Sequence, residues 1–304
     1  MKLGIDPEFF VLNQHNQPIN AYKVCKHKSN KPLSYNHVNI YHDNVLLEAN
    51  IEPALSESEF ISKIETLINS LLHVADGYKL SLDGFIEFSD EELSLPNAKD
   101  FGCQPDYDAY TLTINEIDNK GLSKTNFRTA GGHIHIGGQS KDDIVMDPVL
   151  KPIFVFMMDL FVGIPSVLID SSSQTFRRRQ YFGAAGCHRD KKYGIEYRVL
   201  SPFWLRNKST QSLIYRLCQF VFDEVNEGLY KKFVNFDLQK LKGDHPEKAY
   251  DCYGYDRDGV VNAINNCDTN RAKIFYNFAS NFMPNSLIAH IEHEINLPKI
   301  PYLV

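Results

Sequence analysis

Paired cysteines are missing from this sequence of 304 residues. The chain has six cysteines, but they are scattered, and none forms the C-x-x-C pair that is typical of zinc sites and redox centres. They are also too sparse for the disulfide framework of a small secreted domain. We therefore expect the thiols to be reduced, as they are in cytosolic proteins.

Uninterrupted apolar runs and clustered positive charge are scarce as well. The most apolar stretch, residues 149–169, contains two prolines and two charged residues, which predicts a buried core helix and not a membrane span. Asp6 and Glu8 lie where a secretory signal would be apolar. The net charge of −6 argues against a general affinity for nucleic acid. We expect a cytoplasmic protein that binds neither membranes nor nucleic acid.

No repeat or low-complexity linker divides the chain, so a single domain of residues 1–304 is expected. Periodicity predicts strands at 3–12, 44–52 and 79–88, a long loop at 92–110, helices at 56–74, 147–168, 210–233 and 246–282, and hence a helical part from about 209 to 304. Strands and helices that do not alternate regularly predict an α+β fold with a largely antiparallel sheet.

Four strand segments share an unusual composition on their polar side. A strand directs successive side chains to opposite faces, so each segment has one apolar face and one polar face. The polar positions include Asp6 and Glu8 in residues 4–10, Glu48 and Asn50 in 45–52, His133 and His135 in 131–138, and Glu196 and Arg198 in 194–200. Solvent faces of strands usually favour Thr, Lys, Ser and Gln, which do not occur at these positions. The pattern therefore predicts one shared functional face.

Carboxylates crowded on one face repel each other unless cations bind among them. Oxygen ligands in such number suit Mg²⁺ or Mn²⁺, which often also hold substrate phosphates. Arginines that could bind phosphate follow in the glycine-containing segment 177–198, namely Arg177, Arg178, Arg179, Arg189 and Arg198. The sequence argues against a cupin, which needs a glutamate four or five residues after the second histidine, because no acid follows His135 before Asp142. A zinc hydrolase would have fewer acids and more histidines.

Five segments, in this order, resemble the carboxylate–amine ligases of the glutamine synthetase and glutamate–cysteine ligase superfamily. The best match is to the type 2 amidoligases (COOH-NH2 ligases), found largely in bacteriophages. The segments are GIDPEFF (4–10), DNVLLEANIEPA (43–54), FGCQPDYDAY (101–110), FRTAGGHIHIGG (127–138) and RRRQYFGAAGCHRDKKYGIEYRVLSPFWL (177–205). The resemblance implies a glutamine-synthetase-like fold, with a curved, mainly antiparallel sheet and helices on its outer face. ATP would enter one end of the resulting funnel, and the carboxylate and amine substrates the other.

The resemblance also implies roles for individual residues. Asp6 stands where the family has glutamate, and Pro7 interrupts the first strand. The family also has a second acid on the second strand, expected near residue 43 or 44, and that position falls on either Asp43 or Asn44. The predicted metal ligands are Asp6, Glu8, Glu48, His133 and Glu196. The predicted nucleotide-binding residues are Gly132, His133, His135, Arg178, Arg189 and Arg198. The predicted catalytic residues are Glu48, Arg178, Arg189 and Arg198.

The implied reaction has two steps. A substrate carboxylate attacks the γ-phosphate of ATP to give an acyl phosphate, and an amine then displaces phosphate, with Mg²⁺ or Mn²⁺ neutralising the phosphate charge. The carboxylate and the amine could each belong to a free amino acid, a peptide, a cell-wall fragment or a protein side chain. A phage-encoded enzyme of this kind would act in the host cytoplasm.

Three other functions share parts of this pattern. A guanidino-type kinase would use a related sheet and would release ADP without phosphate. A metal-dependent hydrolase could use the same acids and histidines and would not need ATP. A non-enzymatic phage protein would have lost catalytic residues, but Glu48 and Glu196 are both present.

Overall fold

The computed structural model describes residues 1–99, 105–115, 121 and 124–303 of the chain. The described strands are β1 Lys2–Leu12, β2 Pro18–Ile19, β3 Leu33–Tyr35, β4 Val38–Asp43, β5 Leu46–Ile51, β6 Lys79–Ser81, β7 Phe85–Glu87, β8 Asp106–Asp108, β9 Thr113–Asn115, β10 Phe127–Thr129, β11 Gly132–Gly137, β12 Cys187–Lys191, β13 Gly194–Tyr197, β14 Val234–Phe236 and β15 Tyr250–Cys252. The described helices are α1 Glu57–Val74, α2 Asp90–Leu93, α3 Lys151–Ile169, α4 Ser173–Arg179, α5 Lys208–Asn226, α6 Leu238–Leu241, α7 Arg257–Asn265, α8 Thr269–Ser280 and α9 Asn285–Ile295. With 43% helix and 23% strand, the predicted combination of helices with a large antiparallel sheet is confirmed.

The largest sheet places the four strands of the predicted polar face side by side. Its order is β3-β4-β5-β1-β11-β13-β12-β8-β9, and β2 and β6 pair with the end of β1. Neighbouring strands are antiparallel throughout this order. The strands β5, β1, β11 and β13 are therefore consecutive, which brings their polar faces together. The pairs β7–β10 and β14–β15 form two separate ribbons.

The opposite face of the sheet packs against helices. Apolar residues that alternate with the polar ones, such as Ile5, Ile134 and Ile195, are buried in one core with residues of α1, α3 and α5. Helix α3 contains a five-residue π-helical turn, Asp159–Gly163, shortly before Pro165, which has no N–H to donate within the helix. Among the described residues, α3 is the one helix long and apolar enough to span a membrane, but 94% of its apolar window is buried within the protein. It is a core helix, as predicted.

The predicted strand at residues 79–88 is wrong, because the chain turns in its middle. The Ser81 hydroxyl donates to Asp83 Oδ2 at 2.9 Å and accepts from the Asp83 N–H at 3.1 Å. The carbonyl of Gly84 then accepts from the Ala130 N–H at 3.0 Å, which leads β7 into its pairing with β10. An Asp-Gly dipeptide is a strong turn signal, and here it separates β6 from β7.

The predicted long loop at 92–110 is only partly irregular. Residues 100–104 lie outside the described part of the chain, but Asp106–Asp108 forms β8 and pairs with β12. The C-terminal part is not wholly helical either. Helix α5 ends at Asn226 because Gly228 takes a left-handed conformation with φ of 93°. The region 246–282, expected to be helical throughout, contains β15 before α7 and α8.

A buried carboxylate behind the sheet connects α3 to two strands. Asp159 has no solvent exposure; its Oδ1 accepts from the Tyr197 hydroxyl of β13 at 2.6 Å, and its Oδ2 accepts from the Gly186 N–H beside β12 at 2.7 Å. Burial raises the pKa of Asp159 to about 7, although the hydrogen bond from Tyr197 acts in the opposite direction. The carboxylate thus fixes β12 and β13 from the side opposite the polar face.

We expect the Asp159→Asn variant to lack a pH dependence of stability that the parent protein shows. The pKa of Asp159 is raised on folding from 3.8 to about 7, so its contribution to stability is present below the lower value and is lost as the pH rises to the higher one. The free energy of unfolding of the parent should fall by on the order of 2–4 kcal/mol more than that of the variant over this range. Urea titrations at a series of pH values measure this difference. Parallel pH curves for the two proteins would contradict the raised pKa.

Candidate active site

One face of the sheet gathers the polar residues of five neighbouring strands, β4, β5, β1, β11 and β13. The register pairs Tyr41 with Glu48, Glu48 with Glu8, Asp6 with His133, and His135 with Glu196. The structure therefore brings together all the predicted metal ligands. Glu48, His133 and Glu196 are buried, whereas Asp6 and Glu8 are partly exposed.

Asp6 lies at the centre of a compact cluster with two histidines. The ligand atoms of Asp6, His135 and Glu196 all lie within 4.8 Å of one another. His133 Nδ1 is 3.5 Å from Asp6 Oδ1, and His135 Nε2 is 3.5 Å from Asp6 Oδ2. Burial tends to raise the pKa of Asp6, but its interactions with His133 and His135 outweigh burial and hold that pKa below its ordinary value. Asp6 is therefore an ionised carboxylate between two imidazoles.

Glu8, Glu48 and Asp43 form a second acidic group beside this cluster. Glu8 and Glu48 are direct cross-strand neighbours, a position in which like charges destabilise a sheet. Burial and the charges of Asp6 and Glu8 raise the pKa of Glu48 well above its ordinary value. Burial and the charge of Glu8 raise the pKa of Asp43 to about 6, so Asp43 interacts electrostatically with this group. A bound cation would favour the ionised forms of Glu48 and Asp43.

Arg198 is held between two carboxylates. Its Nη1 donates to Glu196 Oε1 and lies 3.3 Å from His133 Nδ1, and its Nε donates to Asp106 Oδ2 at 3.3 Å. Burial tends to lower the pKa of Arg198, but the charges of Glu196 and Glu8 raise it above its ordinary value. Burial likewise opposes ionisation of Glu196, yet Arg198 and His133 lower the pKa of this carboxyl to about 2. The guanidinium is thus charged and fixed in one orientation.

Strand β12 adds two more cations to Glu196. Arg189 Nη1 lies 3.4 Å from Glu196 Oε1, and Lys191 Nζ lies 2.6 Å from Glu196 Oε2. Between them along the strand, Asp190 forms an ion pair with Lys151 at 3.1 Å. Because strand residues alternate, Arg189 and Lys191 share the polar face and Asp190 does not. Three positive side chains therefore surround one buried carboxylate.

The three arginines at 177–179 lie in different environments. Arg178 is only 1% exposed, and it donates from Nη1 to the Val199 carbonyl and from Nη2 to the Arg198 carbonyl, both at 2.9 Å. The phosphate contact predicted for Arg178 would require these hydrogen bonds to break. In this structure, Arg178 stabilises the backbone of Arg198. Arg179 is also buried and donates to the Ile264 carbonyl at 2.8 Å, whereas Arg177 is exposed and pairs with Glu87 at 2.7 Å.

The glycine pair before the first histidine makes room for its neighbours. The Gly131 N–H donates to Glu8 Oε2 at 2.6 Å, and a Cβ on Gly131 would lie 2.0 Å from His133 Nε2. A Cβ on Gly132 would lie 2.4 Å from the Ser201 carbonyl oxygen and 2.6 Å from Trp204 Nε1. Gly131 therefore positions Glu8 and His133, and Gly132, predicted to bind the nucleotide, is required by packing.

The donor atoms of the face fit divalent cations. Because the contacts between Asp6 and the histidines are long, Asp6 Oδ1 and His135 Nε2 are buried without a hydrogen bond among the described residues. Buried polar atoms of this kind are costly unless a partner is supplied. Carboxylate oxygens suit Mg²⁺ and Mn²⁺, and the imidazoles add nitrogen donors of the kind that transition-metal ions accept. The two groups that would hold such ions are Asp6 with the histidines and Glu196, and Glu8 with Asp43 and Glu48.

Three residues of the face do not appear among the sequence predictions. Strand alternation would have identified Lys191, two residues after Arg189, and Tyr41, two residues before Asp43. The Tyr41 hydroxyl donates to Glu48 Oε1 at 2.6 Å. Asp106 belongs to a three-residue strand inside the expected loop, and a strand that short has no recognisable period.

We expect Glu48→Gln to weaken divalent-metal binding at the second acidic group without destabilising the fold. Glutamine keeps the acceptor for Tyr41 and removes a charge that the folded state disfavours, since the pKa of Glu48 is raised. In buffer with a chelator, the variant should unfold at the same or a higher temperature than the parent, and its advantage should grow as the pH rises above the ordinary glutamate pKa of about 4.5. Its Mn²⁺ affinity should fall by roughly 10–100-fold or more, as measured by calorimetry.

The matched control for this prediction is Glu52→Gln. Glu52 follows Glu48 on the same side of the chain but is exposed and pairs with His37 at 2.7 Å. This control should bind Mn²⁺ like the parent. Parent-like Mn²⁺ binding by Glu48→Gln would remove Glu48 from the metal site.

Comparison with known families bears on the central part of the chain. Residues 121–246, about two fifths of the sequence, match the model of a family described as phage phiEco32-like COOH.NH2 ligase-type 2. The matched segment includes β11, β12 and β13, whereas β1 and β5, which carry Asp6, Glu8 and Glu48, precede it. A search of the curated proteins finds no match. The family resemblance of the sequence is confirmed over residues 121–246, the part of the chain that matches the phage phiEco32-like COOH.NH2 ligase type 2 model.

Proposed function

We propose that the protein is an ATP- and Mg²⁺-dependent carboxylate–amine ligase that forms an amide bond through an acyl phosphate. The observation that carries the proposal is the presence, on one sheet face, of two acidic groups next to a cluster of three cations around Glu196. The family description, which names a carboxyl and an amino group, supports the same reaction class. The antiparallel sheet with its polar face supports a glutamine-synthetase-like architecture, with residues 1–304 as one catalytic domain.

The cationic end of the face suits the phosphates of ATP. Arg198 and Arg189 present guanidinium groups, which bind phosphate oxygens through paired hydrogen bonds. Arg198 is already oriented by Glu196 and Asp106, so no reorganisation is needed as charge develops on the transferred phosphoryl group. A divalent ion held by Asp6, His133 and Glu196, with His135 adjoining, would neutralise phosphate charge and favour in-line attack.

The acidic end of the face suits the substrate carboxylate once the negative charge of the protein side chains there is neutralised. By themselves, Glu8, Glu48 and Asp43 would repel a carboxylate. A divalent ion held by these three residues would reverse that repulsion and place the substrate beside the cationic end. Gly131 supports this arrangement because its N–H holds the Glu8 carboxylate in place.

The bond changes follow from this arrangement. A carboxylate oxygen attacks the γ-phosphorus, and the bond from that phosphorus to the bridging oxygen breaks, so that ADP leaves with the electron pair. The amine nitrogen then attacks the acyl carbon, loses a proton, and phosphate departs from the tetrahedral intermediate. Arg198 and Arg189 stabilise the negative charge in both steps. The substrates we propose are an amino acid, a peptide or a protein side chain, joined in the cytoplasm, or in the host cytoplasm if the enzyme is phage-encoded.

A product assay tests this function directly. The full chain is incubated with ATP, Mg²⁺ and mixtures of amino acids and peptides, and ADP, phosphate and amide are quantified separately. A ligase releases ADP and phosphate in equal amounts, in proportion to the amide formed. Release of ADP with a phosphorylated substrate would indicate a guanidino-type kinase, and substrate cleavage without ATP would indicate a metal-dependent hydrolase.

We expect His133→Ala to lose most ATP-dependent phosphate release and His135→Ala to lose less. His133 is buried and contacts both Asp6 and Arg198, so its removal disturbs a predicted metal ligand and a phosphate-binding guanidinium together. His135 is more exposed, and its Nδ1 is engaged by the hydroxyl of Tyr193. The initial rate of phosphate release under saturating ATP measures both losses. The exposed His15→Ala serves as the control, and equal activity of His133→Ala and this control would contradict the assignment.

A further inference from the structure

We propose that Lys191 is an exchangeable cation, which shares Glu196 Oε2 with a divalent metal and is displaced by that metal onto the phosphates of the nucleotide. The inference rests on the proposed function, because it takes a metal–ATP complex as the ligand. It assigns Lys191 two roles, as a competitor of the metal and as a phosphate-binding residue.

The two oxygens of Glu196 have different partners. Oε1 receives the guanidinium groups of Arg198 and Arg189, the latter at 3.4 Å. Oε2 lies 2.6 Å from Lys191 Nζ, and no other ion pair to this atom occurs among the described residues. Guanidinium groups stay protonated and Arg198 is held in place by Asp106, so Oε1 remains engaged. A metal that uses Glu196 would therefore take Oε2, the atom that Lys191 contacts.

Of the three cations around Glu196, Lys191 is the one whose side chain can most easily move away from the carboxylate. Its side chain is 30% exposed, compared with 9% for Arg198 and 18% for Arg189. It stands at the end of β12, next to the turn at Lys192 and Tyr193, and its ammonium is carried on a flexible four-carbon stem. A divalent ion at Oε2 would repel the ammonium at short range, so the lysine must leave when the metal binds.

The cationic edge of β12 indicates where the displaced ammonium goes. Arg189 and Lys191 are two residues apart on the same face, roughly 6.5–7 Å along the strand, a spacing that a polyphosphate chain can bridge. Asp190 points to the opposite face and is paired with Lys151, so it does not compete for Lys191. A lysine that moves from a carboxylate to a phosphate keeps an anionic partner throughout, and this makes metal and nucleotide binding mutually supportive.

The exchange predicts opposite effects of one substitution on two ligands. In the Lys191→Gln variant, Mn²⁺ alone should bind roughly threefold to tenfold more tightly than to the parent, because a partly exposed ion pair no longer competes. The same variant should bind ATP with Mg²⁺ about tenfold more weakly, the loss expected for one charge-assisted contact. Titration calorimetry with the full chain measures both affinities, and Lys191→Met provides a second variant without the ammonium. Lys192→Gln, the exposed neighbour, is the matched control and should change neither affinity.

The outcomes separate this inference from the proposed function. Tighter Mn²⁺ binding together with weaker nucleotide binding supports the exchange. Binding of Mn²⁺ and ATP by the parent, with unchanged Mn²⁺ affinity in both Lys191 variants, would overturn the exchange and leave the proposed ligase intact. A parent protein that binds neither Mn²⁺ nor ATP would overturn the proposed function and the exchange together.

Discussion

The pairing of Glu8 with Glu48 across β1 and β5 is the constraint on which the rest of the face depends. Two carboxylates in direct cross-strand contact, one of them buried, oppose sheet formation unless they are protonated or bound to a cation. The raised pKa of Glu48 expresses that opposition. The strand register is nevertheless fixed by the apolar face of the sheet, because a slip of one residue would turn Ile5 and Phe9 out of the apolar core.

Charge is distributed unevenly along the polar face. At one end, burial raises the pKa values of Glu48 and Asp43, and the negative charge of Glu8 raises both further. At the other end, Glu196 is surrounded by three cations. Burial opposes the ionisation of Glu196, but Arg198 and His133 outweigh it and lower the pKa of this carboxyl.

This asymmetry favours a cation at the first end and an anionic group at the second. A ligand that contains both charges therefore has one preferred orientation on the sheet.

Much of the face could be predicted from the sequence because it lies on strands of six or more residues or beside recognisable sequence features such as glycine pairs. Alternation of two in residues 4–10 and 131–138 correctly placed Asp6, Glu8, His133 and His135 on one face. Asp106 could not be found this way, since its strand has three residues, and the environment of Arg178 depends on tertiary packing that places α4 against the end of β13. Tyr193 sits in a turn, where side-chain direction has no simple period.

The buried polar residues around Arg198 explain why the fold holds so many charges away from solvent. Asp106 and Glu196 orient the guanidinium, and Arg178 holds the backbone carbonyl of the same residue. Behind the sheet, Asp159 fixes Tyr197, the preceding residue, through its hydroxyl. If one of these residues is replaced, its hydrogen-bond partner is left as an unpaired buried group, so the contributions of these residues to stability are coupled. The result is a guanidinium whose position is set before any ligand arrives, which is the property that electrostatic stabilisation of a transferred phosphoryl group requires.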